Sequence, residues 1–305
     1  MEANKASATA LGTSLMRALH TRADPWPIID DPWGDRLVPP IAVDAFRRRA
    51  AASLPADSRS RAADPSASAL DEHLRASAAY ATVITRTRFA EDALHAAVAR
   101  GATQYVLIGA GFDSYALRTP AGELHVAIYE VDHPATQALK ITRIQACGAA
   151  LRPSVHFVAA DLAVENLGDA LSRSPFSRSA TSFFSWLGVT MYLAREANMA
   201  SLRAIAQCAS PGSELVFTYV DQAAFDKAAV ADDDAASRLR ETVASIGEPF
   251  VSGFHPQRLA HDLASVGLEL LEDLDDQALV RRYDPQNRNR LRPAGRSHIA
   301  RARVR

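Results

Sequence analysis

The amino-acid sequence predicts an α/β fold, with a mostly parallel sheet of about seven strands and helices on both of its faces. Apolar runs of strand length alternate along the chain with segments whose apolar residues recur at helical spacing. The run from Tyr105 to Ile108 shows no alternation of polar and apolar residues, which is typical of a strand covered on both faces. It leads into Gly109, Ala110 and Gly111, whose tight turn would let a ligand lie against the main chain.

The next two apolar runs both end in acidic residues. Glu130 and Asp132 close the run 126–132, roughly 20 residues beyond the glycine turn, where a carboxylate grips a ribose in open α/β sheets. The run 155–160 is followed by Asp161, at a place expected to face a nucleobase. Solvated acids that merely cap the strand ends are the alternative. The order of glycine turn and acids predicts a site for a nucleoside-containing cofactor.

Several short motifs along the chain share their order and intervals with one known family. They are Gly109 to Ser114, Tyr129 to Pro134 with Lys140, Asp161 with Leu162, and Trp186 to Leu193, preceded by Arg17 with Ala18, Ile29 to Pro32, and Arg86 to Phe89. Together they resemble the leucine carboxyl methyltransferase family of S-adenosylmethionine enzymes, including its bacterial branch with polyketide O-methyltransferases. The resemblance covers nearly the whole chain.

This resemblance implies a Rossmann-like class I methyltransferase fold with an N-terminal helical layer and a lid insertion. A helical cap is expected over residues 1–100, and an S-adenosylmethionine-binding methyltransferase domain over residues 101–305. The lid is expected at about residues 221–250. The implied reaction is methyl transfer from S-adenosyl-L-methionine to an oxygen atom.

The family match also implies which residues hold the cofactor. They are Arg86, in preference to Arg88, on the methionine carboxylate, together with Gly109, Ala110, Gly111, Asp113, Glu130, Asp132, Asp161, Leu162 and Leu187. Leu187 departs from the family, because many members have a glutamate there that contacts the cofactor. Leucine cannot make that contact, so the partner of the cofactor's ammonium group is left open, with backbone carbonyls around Gly109 or Gly188 as substitutes.

Composition bounds the class of protein. With 305 residues and 48% hydrophobic content, the chain can bury one sizeable core. A formal net charge of -1 offers no field that attracts nucleic acid or an anionic membrane, which leaves small-molecule or protein substrates. Cys147 and Cys208 lack the number and spacing of a disulfide framework or a metal site, so we expect no metal and a reducing cytoplasm. No stretch approaches bilayer length, so we expect a soluble cytoplasmic protein. The sequence does not predict its oligomeric state.

The N-terminal part predicts a short helix and a stiff loop. Apolar positions from Thr9 to Leu19 have helical spacing, and the segment Asp24–Pro27 ends that helix. In the family the equivalent segment closes over cofactor and acceptor, so Arg17 and Trp26 could line the site; a surface arginine and a packing tryptophan are the alternative. Residues 51–71 are rich in Ala, Ser, Asp, Arg and Pro, which predicts a loop or ragged helix that anchors no core.

A longer helix and a further strand are predicted around the glycine turn. Residues 74–100 have strong helical spacing, with Gly101 as the stop. Residues 181–187 form the fourth predicted strand, and the segment 195–208 forms the helix after it.

The last third of the chain predicts two strands, a lid and a final edge strand. The run 214–220 is the fifth predicted strand, and the charged, Ala-rich segment 223–246 is expected to be the acceptor lid, with a plain connecting helix as the alternative. A helix over residues 257–266 then leads to a strand over residues 268–274. Residues 297–304 are expected to add an edge strand.

The expected chemistry demands alignment and little else. A sulfonium methyl group is already electrophilic, and a carboxylate acceptor is already ionised at pH 7, so neither a base nor a metal is required. We expect a small-molecule acceptor of secondary-metabolite or polyketide type, with a carboxylate favoured over a phenol or hydroxyl. Tyr192, Tyr219 and His255 are expected to orient it, since they lie at or near strand ends. For a hydroxyl acceptor, His133 and His255 are the candidate bases.

Two other classes of function use the same sheet. A nicotinamide oxidoreductase would need a diphosphate loop, but Ser114 stands where the third glycine of that fingerprint is expected. A module that binds the methyl donor without turnover is favoured slightly by Leu187. Cofactor binding without methyl transfer would distinguish such a module from an enzyme.

Overall fold

A computed structural model describes residues 7–53, 65–119, 126–225, 244, 247–293 and 295–305. The strands of this part are β1 (Gln104–Ile108), β2 (Ala127–Asp132), β3 (Val155–Ala159), β4 (Ser182–Trp186), β5 (Glu214–Val220), β6 (Leu268–Asp275) and β7 (Ser297–Val304). They form one seven-stranded sheet in the order β3-β2-β1-β4-β5-β7-β6. Neighbours among β1 to β5 run parallel, which confirms the predicted mostly parallel sheet.

The position of β7 differs from its prediction. β7 pairs antiparallel with β5 on one side and with β6 on the other, so it is an interior strand and β6 is the edge. Ile299, Ala300 and Ala302 are fully buried, whereas most of β6 is half-buried. The alternation of Arg301 and Arg303 with apolar residues fits an edge strand and an interior strand equally well, so the sequence does not distinguish the two positions.

Helices cover both faces of the sheet, as predicted. They are α1 (Ala8–Ala23), α2 (Pro40–Ser53), α3 (Pro65–Ala76), α4 (Ala79–Ala99), α5 (Tyr115–Arg118), α6 (Pro134–Ala146), α7 (Leu167–Ser172), α8 (Arg195–Cys208), α9 (Pro256–Ala264) and α10 (Asp276–Tyr283). Alternate β1 residues enter two different apolar clusters, because successive side chains of a strand point to opposite faces. Val106 packs with residues of α7, α8 and α9, and Tyr105 packs with residues of α4 and α10.

The N-terminal helices form a further layer against the sheet. Leu15 and Leu19 of α1 share a cluster with Leu70 and Leu74 of α3 and with Ile84 of α4. The predicted helix over residues 74–100 is divided between α3 and α4, and α3 places its leucines in this core. The expectation that residues 51–71 anchor no core is therefore corrected from residue 65 onward. Residues 54–64 lie outside the described residues.

The predicted lid falls mostly outside the part of the chain that the structure describes. Residues 226–243, 245 and 246 are not described, and the lid stays a prediction. The domain division at residue 100 also stays a prediction, although Leu94 of α4 packs in one cluster with Leu107 of β1. Across the described ranges, no helix combines the length and apolarity needed to cross a bilayer.

Candidate functional site

The carboxyl ends of β1 and β4 lie side by side at the centre of the sheet. β2 and β3 lie on one side of this pair, whereas β5 lies on the other. Such a reversal of strand order is where open α/β sheets bind ligands. The loops that leave it carry Gly109 (φ 67°), Gly111 (φ 50°) and Gly188 (φ 72°), a backbone conformation that favours glycine. A Cβ atom on Gly109 would lie 2.4 Å from Cγ2 of Val189, so the two loops pack tightly together.

Asp132 is the last residue of β2 and is half-buried. Its carboxylate accepts hydrogen bonds from the backbone N–H groups of Gly111 and His133, the latter at 2.6 Å. Burial raises the pKa of Asp132, and these two backbone donors oppose the rise. The structure thus brings the predicted ribose acid against the glycine turn.

Glu130 lies two residues earlier on the same strand and is fully buried. Its carboxylate oxygen lies 2.5 Å from Nζ of the equally buried Lys140. Burial raises the pKa of Glu130, and the Lys140 ammonium opposes that rise. The structure corrects the expectation that Glu130 contacts a ribose, because its carboxylate is committed to an internal ion pair.

Arg86 extends from α4 to the loop after β4. A Cβ atom on Gly188 would lie 2.7 Å from one Nη atom of Arg86 and 2.8 Å from the other, so the guanidinium lies flat against this glycine. Burial lowers the pKa of Arg86 to about 10, with Tyr192 opposing and the Arg17 cation adding to the decrease. The group stays charged at pH 7. Within the described residues, no ion pair or hydrogen bond engages its guanidinium, and a half-buried cation of this kind is stabilised by a bound anion.

Tyr192 ends a 3-10 turn, Thr190–Tyr192, that follows β4. Its ring meets the Phe250 ring edge-on, with centroids 5.5 Å apart. Burial raises the pKa of Tyr192 to about 12; Thr9 and Arg86 oppose the rise, and the carboxylate of Glu248 adds to it. The hydroxyl is therefore protonated at pH 7 and can donate a hydrogen bond to an acceptor oxygen.

A buried hydrogen-bond network fixes the 3-10 turn that carries Tyr192. The Thr190 hydroxyl donates to the Thr218 carbonyl at 2.6 Å, and Nδ2 of Asn198 donates to the Thr190 carbonyl at 2.8 Å. The Val251 N–H donates to the Met191 carbonyl at 2.7 Å. Sequence reasoning missed Asn198, because an interior helix asparagine gives no signal of the loop that it holds.

The structure places Tyr219 away from the predicted acceptor site. Its ring is fully buried and stacks on His298, with centroids 4.8 Å apart, and its hydroxyl donates to Asp273 at 2.7 Å. Burial and the Asp273 carboxylate raise the pKa of Tyr219. The expectation that Tyr219 orients an acceptor is corrected: β6 and β7 supply its partners. The adjacent Thr218 instead accepts a hydrogen bond from the Gly188 N–H at 2.7 Å.

Arg17 and Trp26 each connect two segments of the chain. Arg17 is buried, lies 2.8 Å from Asp31, and donates to the Phe112 carbonyl at 2.7 Å. Trp26 is 58% exposed, and its backbone is hydrogen-bonded to the side chain of Asn289. That either side chain lines the site stays a prediction.

The remaining predicted residues lie in the surrounding loops. Ala110 is buried in the glycine turn, and Asp113 accepts a hydrogen bond from the Tyr115 N–H at 2.7 Å. Asp161 follows β3 and accepts from the Ala163 N–H at 3.0 Å, and Leu162 beside it packs on the sheet. Their cofactor contacts stay predictions.

Leu187 is half-buried and packs against the apolar cluster under α4. His133 precedes α6, and its Nδ1 accepts a hydrogen bond from the Ala135 N–H at 3.3 Å, which explains it as a helix cap. His255 is the N-cap residue of α9, although its side chain makes no capping hydrogen bond, and it lies next to the Phe254–Asp221 bridge at the end of β5. Its predicted role stays a prediction. No group of three or more His, Cys, Asp or Glu residues suited to a metal ion occurs in the described ranges.

Comparisons with known proteins agree with this arrangement. Residues 10–206 match the model of the leucine carboxyl methyltransferase family. A Bacillus subtilis (strain 168) protein, YktD, is 35% identical over 193 residues, which cover 63% of this chain and 62% of that protein. A Mycobacterium marinum protein is 32% identical over 217 residues, covering 71% of this chain and 67% of that protein. Both are named "Putative S-adenosyl-L-methionine-dependent methyltransferase".

The fold also matches that of a solved structure. The DUF574 family protein from Streptomyces avermitilis aligns with a TM-score of 0.52 and 15% identity, over 100% of this chain and 99% of that one. The seven-stranded sheet, with a glycine turn after β1 and an acid at the end of β2, agrees with the class I methyltransferase fold that the sequence predicts. With its match over residues 10–206, the chain belongs to the leucine carboxyl methyltransferase family.

Proposed function

We propose that this protein is an S-adenosyl-L-methionine-dependent O-methyltransferase that acts on a carboxylate of a small molecule. Family membership and the relatives' names support the methyl donor. The observation that carries the proposal is Arg86, a half-buried cation that lies flat against Gly188 and has no carboxylate partner in the described part of the chain. The methionine carboxylate of the cofactor would pair with the Arg86 guanidinium through two parallel hydrogen bonds.

The residues at the carboxyl ends of the central strands fit this cofactor. Gly109 and Gly111 have the positive φ angles that allow the main chain to turn tightly at the end of β1. Asp132 offers acceptor oxygens at the end of β2, where ribose hydroxyls bind in open α/β sheets. We propose that Asp113, Asp161 and Leu162 complete the contacts. When bound, S-adenosylmethionine would supply an electrophilic methyl group.

The protein's own residues then have to hold the cofactor and orient the acceptor. Arg86 would anchor the methionine carboxylate of the cofactor and Asp132 its ribose, and Tyr192 would donate a hydrogen bond to the acceptor. With a pKa of about 12, Tyr192 keeps its proton at pH 7 and does not act as a base. Aligning the reacting groups and excluding water can lower the barrier by several kcal/mol, without a general base when the acceptor is a carboxylate.

A small-molecule acceptor is favoured by the surroundings of Tyr192. Met191, Val220 and Ala224 form an apolar cluster, against which Tyr192 and Phe250 pack. We propose that this cluster holds the apolar body of a secondary metabolite or polyketide-like acid. His255 would reach the same region from the segment before α9.

A hydroxyl or phenol acceptor is the second candidate, and one observation favours it. Glu248 lies close enough to Tyr192 to raise its pKa further, and a second carboxylate beside it would be repelled. A phenol carries no charge at pH 7 and avoids this repulsion.

Mass spectrometry with a methyl-labelled donor tests the proposal on a library of carboxylates and phenols. Label is expected on carboxylate oxygens, and turnover should stay flat between about pH 6 and 8, because the pKa of a carboxylic acid lies below this window. A phenolic product whose formation rises steeply with pH would support the second candidate. Label found only on nitrogen, carbon or protein would contradict O-methylation. Binding without any transfer would favour a non-catalytic binding module.

A further inference from the structure

The carboxylate of Glu248 joins two parts of the chain that are far apart in sequence. It accepts a hydrogen bond from the Ala8 N–H at 3.0 Å and another from the Thr9 N–H at 3.2 Å. These donors belong to the first turn of α1, whose N–H groups have no partner within the helix. The Ser7 side chain accepts from Ala10 N–H at 3.1 Å in the same turn. A carboxylate here is further favoured by the helix dipole.

The first turn of α1 lies directly over the proposed cofactor loop. A Cβ atom on Gly111 would lie 3.1 Å from Cβ of Ala10. The backbone N–H of Ser7 donates to the Thr136 hydroxyl at 3.3 Å, at the start of α6 just beyond Asp132. This end of α1 therefore covers the glycine turn and the helix that follows the ribose acid.

The other side of Glu248 is tied to the proposed acceptor site. Phe250, two residues further on, packs edge-on against Tyr192, and the Val251 N–H is bonded to the Met191 carbonyl. These contacts fix the segment 248–251 to the turn after β4. Glu248 thus links the first turn of α1 to the turn after β4 that carries Tyr192.

From these contacts we propose that Glu248 is a latch, a positioning residue that holds the first turn of α1 closed over the cofactor site. The proposal rests on the proposed cofactor. Because both partners of the latch belong to the protein, the same contact is available in the free and in the cofactor-bound protein, and it stabilises the closed state of each. The first turn of α1 must move away from the cofactor site before the cofactor can associate, and again before it can dissociate. Weakening the latch should therefore raise both rate constants together and change the equilibrium affinity little.

The test measures both rate constants for S-adenosylhomocysteine by surface plasmon resonance on the full-length chain. In Glu248→Ala, association and dissociation should each become roughly tenfold faster, since two charge-assisted hydrogen bonds are lost, while Kd stays within about threefold. Glu248→Gln keeps one acceptor oxygen and should show a smaller effect of the same sign. Glu196→Ala is the matched control: Glu196 is an exposed acid in the first turn of α8 and should change neither rate.

Hydrogen exchange supplies a readout that does not depend on the ligand. The amides of Ala8 and Thr9 should exchange faster in Glu248→Ala than in the wild type, with no change in the central strands. If Glu248→Ala does not fold, Glu248→Gln carries both measurements.

Three results would overturn the latch. If dissociation became faster, association stayed unchanged and affinity fell in proportion, Glu248 would be a ligand contact and not a latch. Unchanged rate constants in both Glu248 variants would show that Glu248 does not control cofactor exchange. Unchanged exchange at Ala8 and Thr9 would show that the contact does not hold α1. A wild-type protein that does not bind S-adenosylhomocysteine would contradict the proposed function itself, which separates the two failures.

Discussion

Replacing Arg86 by methionine should weaken cofactor binding without destabilising the free protein. The guanidinium has no carboxylate partner in the described residues, so Arg86→Met removes an enclosed charge and breaks no ion pair. A pKa lowered to about 10 corresponds to a cost of about 1–3 kcal/mol for the charged form at pH 7, allowing for solvent screening. This cost applies at pH values below about 10, where the folded protein holds the charged form, and it disappears in the variant.

Arg86→Met removes an energetic cost from the free protein, but it is expected to weaken the binding of S-adenosylhomocysteine. Removing one partner of a desolvated, hydrogen-bonded charge pair costs about 2–5 kcal/mol, or roughly 30-fold to several thousandfold in Kd. Isothermal calorimetry with S-adenosylhomocysteine measures this loss, and thermal unfolding measures the stability of the free protein. Tm is expected to stay unchanged or rise by a few degrees.

Arg88→Met is the control on the same helix. Arg88 is exposed and pairs with Asp92 at 2.9 Å, so its removal should leave the affinity unchanged. An Arg86→Met variant that bound S-adenosylhomocysteine within about threefold of the wild type would contradict the role of Arg86 in cofactor binding. A loss of several degrees in Tm would instead make Arg86 a structural residue.

Three further predictions follow from the site. Asp132→Asn should weaken S-adenosylhomocysteine binding by at least about tenfold in calorimetry, and an unchanged Kd would refute the ribose assignment. Gly188→Ala should weaken binding roughly tenfold, because its Cβ displaces Arg86; Gly212→Ala, with φ 86° and no atom near its Cβ, carries similar backbone strain and should bind normally. Tyr192→Phe should lower kcat/KM for the acceptor by roughly tenfold with cofactor affinity kept, and equal steady-state kinetics would exclude its hydrogen bond.

The parts of the site that are local in sequence could be predicted. The turn from Gly109 to Gly111 follows a fully buried strand, and Asp132 ends the next one, so strand order and spacing place them at one edge. The choice between Glu130 and Asp132 was harder, because both side chains point to the same face of β2. The ion pair between Glu130 of β2 and Lys140 of α6 distinguishes the two acids, and only the packing of α6 on the sheet reveals that pair.

Tyr219 and Glu248 show where the sequence stops being informative. The position of a residue along a strand does not tell on which face of the sheet its side chain lies. The Tyr219 side chain is directed to Asp273 of β6. β6 lies two strands away because β7 inserts beside β5. Glu248 reaches backbone N–H groups some 240 positions earlier in the chain, and a contact to main-chain atoms leaves no residue pattern to recognise.

The most direct test of the central claim compares two ligands on two proteins. S-adenosylhomocysteine carries the amino-acid carboxylate that Arg86 is proposed to bind, and 5′-methylthioadenosine has the same nucleoside without it. Calorimetry should show that the wild type prefers S-adenosylhomocysteine and that Arg86→Met loses most of this preference, with the affinity for 5′-methylthioadenosine nearly unchanged. An equal preference in both proteins would contradict the account, because the carboxylate would then be held elsewhere.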